Sequence, residues 1–300
     1  MAIVLGDNHY GKAESRLVRI VRDEARHEIR DLNVSTTLWG SFVEAHLYGD
    51  QSQVLPTDTQ KNTAYAFAKS HGIHSIESFG LALGTHFVDD VQPVTAARVE
   101  IEEYGWTRAV VDGTEHDHAW TRTGGEVRTV AVTVEATGDE QSVHVIQGLR
   151  DLVLLKSTGS EFHDFLVDEY TTLAETRDRV LATSLTARWR VEGEHDWDAL
   201  YTAVRSTMIA QFADLHSLAL QQTLWHMGKA VLTQHPQIAE IRFAAPNKHH
   251  FVVDLAPFGL ENAGEVFFAA DRPYGLIEAT VTRDDASDAG RAWSAEVATA

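Results

Sequence analysis

The sequence predicts an α+β protein in which long antiparallel strands form a sheet and helices cover one face of it. Three observations predict this class. Residues 16–22 and 26–39 have the polar–apolar alternation of half-buried strands. Other segments repeat apolar residues at three- and four-residue spacing, the mark of an amphipathic helix. The order strand, strand, helix, helix, strand, strand then runs twice along the 300 residues.

Taken in order, residues 13–48 read as long strands that turn at Asp23-Glu24. Thr57-Asp58-Thr59-Gln60 opens a helix, because a Thr with a Gln three residues on is a capping box. A second helix starts near Ser75, with Ile76, Phe79, Leu83 and Phe87 on one face. Strands return over about 94–136, with a turn near Gly124-Gly125. In the second half, 143–156 is strand-like. Thr172-Leu173-Ala174-Glu175 is a second capping box that opens only a short helical turn, and 185–192 is strand-like again. Trp197, Leu200, Tyr201, Val204, Met208, Phe212 and Leu215 make one helical stripe, and Leu220, Leu224, Met227 and Val231 make the next. Strands over 239–256 and 265–283 close the chain. The doubling sets two domains, 1–138 and 139–300. Sheets of this kind leave unpaired edges, and closure into a ring of subunits removes them, so an oligomer is expected.

Composition excludes several function classes. Lys and Arg number 25 against 44 Asp and Glu, a net charge of −19, which disfavours nucleic acid and anionic lipid as partners. The chain has no Cys, so disulfides, thiolate catalysis and zinc–cysteine sites are excluded. The opening MAIVLGDNHYGK is too short and polar for a secretory signal. No unbroken apolar run reaches membrane-spanning length. A cytoplasmic protein without metal–thiolate chemistry is the expectation.

Against that acidic background a few polar residues stand out, each open to two readings. Lys12, after Gly11, is either a solvent-facing lysine beside a turn or a proton-transfer group. Thr57 caps a helix, and a helix N-terminus also presents free N–H groups to an anion or polar heterocycle. Phe162 is a core residue or a stacking platform. Arg179 either pairs with Glu175 four residues earlier or offers two parallel donors to a planar anion. Gln221 opens an amphipathic helix; facing inward, its amide would donate to a carbonyl and accept from an N–H. Asn247, Lys248 and His249 form a polar group beside a strand on which His249, Phe251 and Val253 share one face.

Together these segments resemble a known family. YGKAESRLVRI, TDTQKNTAYAFA, LKSTGSEFHDF, DEYTTLAETRDRVLAT, LALQQT, PNKHHFVVDL and DRPYGLIEATV are similar to the motifs of uricases, in that family's order and over about residues 4–283. The least family-like stretch is 99–113. The resemblance implies tandem tunnelling-fold domains, a homotetramer forming a barrel with a central tunnel, and active sites at subunit interfaces. It implies oxidation of urate by O2 and water to 5-hydroxyisourate with release of H2O2, with O2 as co-substrate and no cofactor or metal.

Carried over by motif, Phe162 stacks under the purine while Arg179 and Gln221 grip opposite edges of its plane. Leu220 and Gln221 backbone, Asp58 backbone and Leu173 complete the pocket, with Thr57 from the neighbouring subunit. Asn247 holds oxygen or water above the ring, and Lys12, Thr57 and His249 form a proton relay. Lys12 and Arg179 supply the local positive charge an anionic substrate needs in an acidic protein. The peroxisomal ending Ser-Lys-Leu of many relatives is replaced by Ala-Thr-Ala.

Two other readings compete. A pterin- or guanine-type enzyme of the same fold would use a Glu anchor and a His-x-His metal pair, for which His116-Asp117-His118 is the candidate; the Arg and Gln pair favours a carbonyl-rich ligand instead. A binding-only tetramer is disfavoured by the joint presence of Lys12, Thr57 and His249.

Overall fold

The computed structural model describes residues 1–138 and 140–294. They form two compact units. The first comprises Met1–Gly148, Arg190–Asp198 and the segment from Ser287 onward; the second comprises Leu149–Trp189 and Ala199–Ala286.

In the first unit β1 (Tyr10–Val21), β2 (Glu28–Gly40), β3 (Val94–Val111) and β4 (Thr114–Thr137) pair in that order, all antiparallel. The first part of β5 (Glu140–Lys156) follows β4. Between β2 and β3 come α1 (Val43–Tyr48), α2 (Thr57–Ser70) and α3 (Ile76–Asp90). The stripe expected on α3 is buried in full: Ile76, Phe79, Leu83 and Phe87 join Leu32, Val34, Val99 and Val132 in one core. Ser75 caps α3 reciprocally with Ser78. Glu77, buried in its first turn, accepts from Arg128 at 2.9 and 3.0 Å and from Gln147 at 2.7 Å, which ties the helix start to β4 and β5.

Three expectations for this unit need correction. Residues 43–48 are helix, not strand: none of them is buried, so alternation there carries no core signal, and Gly49 ends the helix in a left-handed conformation. The turn between β3 and β4 is Asp112-Gly113, both at positive φ (51° and 79°), the conformation a two-residue hairpin of right-handed twist needs. Gly124-Gly125 lies inside β4, outside the ladder at a shift of register between Tyr104 and Trp106. Finally, α2 starts at Thr57, but Pro56 holds the cap position and no side chain caps it. Gln60 does not reach back; it is fully buried and accepts a hydrogen bond from Thr36 at 2.7 Å.

In the second unit the later part of β5, β6 (Leu181–Val191), β7 (Ile238–Pro246) and β10 (Leu276–Thr282) are neighbours in that order. α4 (Trp197–Asp214) and α5 (Leu220–Gln234) carry the second pair of stripes, with Leu200, Val204, Met208, Phe212, Leu220, Leu224, Met227 and Val231 buried. A Cβ on Gly228 of α5 would stand 2.5 Å from the Val281 side chain, and one on Gly84 of α3 would stand 2.8 Å from Val134. The same close seating of a helix on its sheet thus occurs once in each unit.

Two corrections apply here as well. Residues 172–175 form no helical turn. Phe162 and Thr176 exchange backbone hydrogen bonds of 2.8 and 2.9 Å instead, and Glu175 accepts from the Asp164 N–H at 2.9 Å, so Glu175 does not reach Arg179 along a helix. The closing strands are shorter than expected. β7 ends at Pro246, and β8 (His250–Val252) and β9 (Phe267–Ala269) form a separate two-stranded sheet around a 3-10 turn, Ala256–Phe258. No described helix is long and apolar enough to cross a membrane.

Candidate active site

The second unit holds seven of the singled-out residues, six of them at or beside the start of β6, the end of β7 and the start of α5, and Leu173 on the extended segment before Arg179. The loop 157–162 is pinned from two sides. Its Gly159 carbonyl and Glu161 N–H bond to Ser217 (2.9 and 2.7 Å), and Thr158 and Gly159 both donate to the Asp178 carboxylate. Ser217 in turn bonds Thr223 through its hydroxyl at 2.8 Å, fixing the loop to the first turn of α5. Ala219 caps α5 without a side-chain hydrogen bond. The first helical N–H groups, at Leu220 and Gln221, therefore point out of the helix as donors. Leu220 is buried, while the Gln221 side chain is exposed.

Arg179 stands just before β6. Its backbone N–H donates to the Ser160 carbonyl at 2.9 Å, and its guanidinium lies 5.2 Å from the centroid of the Phe162 ring. Phe165 stacks on Phe162 at 5.1 Å with an interplanar angle of 18°, which fixes the plane of that ring. The guanidinium meets only the Ser160 hydroxyl, at 3.4 Å; among the described residues no carboxylate pairs with it. Burial without a compensating anion pushes the Arg179 pKa down.

Asn247 follows β7. Its N–H donates to the Gly275 carbonyl at 2.8 Å, and that of Lys248 to Ala182 at 2.8 Å, so the segment is stitched to the start of β6. Two residues on, just before β8, the half-buried His249 stacks on Phe251 with ring centroids 5.7 Å apart. Burial, and then the positive charge of Arg179, hold His249 below the ordinary histidine value. A histidine so placed is neutral near pH 7 and able to accept a proton. Leu173 is exposed on the extended segment and is not drawn to Arg179 by any described contact.

The first unit holds the remaining three. Lys12 lies on β1 opposite Thr36, between two constraints. A Cβ on Gly11 would stand 1.8 Å from the Thr36 carbonyl oxygen, so Gly11 is there for a close backbone approach rather than a turn. Beyond Lys12 the ladder bulges, with Glu14 at φ 56° and its N–H on the Ser35 hydroxyl at 2.9 Å. Thr57 is the first residue of α2, partly buried. Asp58 pairs with Lys61 at 2.5 Å and accepts from Asn62 at 3.0 Å. Lys61, with a smaller contribution from the nearby Lys12 ammonium, holds its carboxyl below the usual range. Lys12 and the start of α2 therefore share one neighbourhood.

Sequence reasoning missed Ser160, Ser217 and the carboxylate of Glu161, which receives His163 at 2.7 Å and His216 at 2.6 Å. Nothing in their spacing announces these contacts. It read Gln60 only as the far member of a capping box, whereas the structure buries it against Thr36. His116 and His118 do meet (ring centroids 4.5 Å apart), and His27 lies 5.6 Å from His118. Among the described residues no group of three or more His, Asp or Glu is arranged to hold a metal ion.

Antiparallel sheets with paired helices seated on them, once per unit, define an α+β protein of the tunnelling-fold class. A family model described as Uricase matches residues 8–133 and 145–278. The uricase of Arthrobacter globiformis is 52% identical over 293 residues, 97% of this chain and 94% of that protein. The uricase of Danio rerio is 37% identical, covering 91% of this chain and 93% of its own length. Among solved structures, the A. globiformis uricase superposes with a TM-score of 0.90 at 52% identity (96% of this chain, 98% of that one). A uricase from Bacillus fastidious superposes at 0.80 with 25% identity, over 93% and 94% of the two chains. The chain belongs to the uricase family.

Proposed function

We propose that this protein oxidises urate with O2 and water to 5-hydroxyisourate and H2O2, with no cofactor or metal, in two tunnelling-fold domains bounded near 138/139. The observation that carries the reading is the Arg179 guanidinium, partly buried, over the Phe162 ring and without a carboxylate partner among the described residues. An uncompensated planar cation beside an aromatic face is a costly arrangement that a flat anion relieves.

In this reading the purine of urate stacks on Phe162. Arg179 donates two parallel N–H bonds to one edge, and the Gln221 amide donates to a carbonyl and accepts from a ring N–H at the other. The Leu220 and Gln221 backbone donors, Leu173 and the Asp58 backbone complete the enclosure, with Thr57 supplied by a neighbouring subunit. Lys12, near Asp58, comes from that same subunit. The assembly is a homotetramer with sites at subunit interfaces, in keeping with β1 and β10 standing at sheet edges.

Chemistry begins with loss of a substrate proton to the relay of Lys12, Thr57 and His249. The electron-rich anion passes electrons to O2 held by Asn247, and a urate hydroperoxide forms. Loss of H2O2 leaves an oxidised purine to which water adds, so that urate, O2 and H2O become 5-hydroxyisourate and H2O2. The protein's work is to place, desolvate and move protons. Cytoplasm is the compartment assigned, in keeping with a chain without Cys.

The test is urate absorbance followed first under nitrogen and then in air. Urate is expected to bind without being consumed until air is admitted. Consumption in the absence of O2 would overturn the proposed acceptor.

A further inference from the structure

We infer that Gln60 is a positioning residue for the proton relay, locking the start of α2, and with it Thr57, to the strand pair that carries Lys12. The inference deepens the function proposed above and rests on it.

Lys12 and Thr36 are register partners, so their side chains stand on the same face of the β1–β2 ladder. The buried Thr36 hydroxyl donates to Gln60 Oε1 at 2.7 Å. Gln60 lies in the first turn of α2, three residues after Thr57 and two after Asp58, whose carboxyl feels the Lys12 ammonium. One side chain thus joins the two elements that carry relay members. The strand at that point has little freedom of its own, since Gly11 touches the Thr36 carbonyl on one side of Lys12 and a bulge follows on the other.

The other end of the amide is the second observation. Gln60 is fully buried, yet its Nε2 has no hydrogen-bond partner among the described residues. A buried donor left unpaired is destabilising, and an apolar side chain of the same shape would avoid that cost. Elsewhere along α2 the buried positions are Ala64 and Ala68. An amide retained here at a cost to the fold points to a role that shape alone does not fill: a donor to a hydroxyl or water of the relay, held in place through Thr36.

The test compares the unaltered protein with Gln60→Met and with Thr36→Val/Gln60→Met, using urate turnover and thermal unfolding. The double variant removes both polar partners together, so the fold is kept even if the single change leaves Thr36 unpaired. Both variants are expected to lose about tenfold in kcat with KM for urate within about twofold, while the double variant unfolds no earlier than the unaltered protein. Unchanged kcat in a folded variant would overturn the inference alone, the unaltered protein still oxidising urate. A fall in kcat that appears only together with a raised KM and a lowered unfolding temperature would overturn it in favour of a purely structural role. Absence of turnover in the unaltered protein would overturn this inference together with the reading beneath it.

Discussion

Replacing Arg179 with Ala tests the binding half of the site. Arg179 is anchored at the site: its backbone N–H is tied to the Ser160 carbonyl, and its guanidinium carbon lies 5.2 Å from the centroid of the Phe162 ring. A bidentate grip on a planar anion comprises two charge-assisted hydrogen bonds, each worth roughly 1.5–3 kcal/mol. Partial exposure of the site argues for the lower end, so the pair contributes about 3 kcal/mol, and its loss weakens urate binding roughly 100-fold at 1.4 kcal/mol per decade. Lys at the same position keeps the charge but loses the fork, and about a tenfold loss is expected. Because no described carboxylate is left behind, Arg179→Ala should not lower the unfolding temperature. The assay is urate affinity measured under nitrogen, with thermal unfolding alongside. Affinity within about threefold of the unaltered protein would refute the assignment, whatever happened to turnover.

Three further outcomes follow from the same geometry. His249 is held below its ordinary value of 6.5 by burial and then by Arg179, so its proton-accepting form persists below that pH. The acid limb of kcat should fall below pH 6.5, and Arg179→Met should move it upward. Any stability linked to the neutral imidazole is full above 6.5 and is lost as pH falls through the lowered value. Lys12→Ala and Arg179→Ala homotetramers should each be nearly inactive, the first in kcat and the second in binding. Unfolding and refolding them together should restore partial activity, since mixed tetramers regain some intact composite sites; no recovery would place both residues in one chain's site. Gly11→Ala should cost about 3 kcal/mol of stability, because its Cβ would meet backbone rather than a movable side chain; denaturant unfolding measures it.

Helices α3 and α5 were legible because their apolar stripes are buried without exception, and periodicity is a direct image of burial. Signals of purely local origin fared worse. Gly124-Gly125 reads as a turn, but Asp112-Gly113 supplies the two positive-φ residues a tight hairpin needs, and the glycine pair became a bulge. Two capping boxes were read from spacing alone. At Gln60 burial against Thr36 outweighed an exposed cap, and next to Glu175 a bridge between Thr176 and Phe162 replaced the helical turn. The same limit applies to the site. Its residue types could be read as a set of ordered motifs, whereas the feature that gives Arg179 its meaning, a guanidinium with no carboxylate partner among the described residues, is a fact of three dimensions that the nearby Glu175 disguises. Ser160 and Ser217 are invisible for a similar reason, since small hydroxyl residues acquire roles only from what the fold brings beside them.

The most direct test of cofactor-free urate oxidation is turnover by protein dialysed against excess chelator, in air, with urate loss and H2O2 followed in the same sample. The expected result is full activity with one H2O2 formed per urate consumed. Activity that vanished with the chelator and returned only with added metal, or urate loss without peroxide, would contradict it.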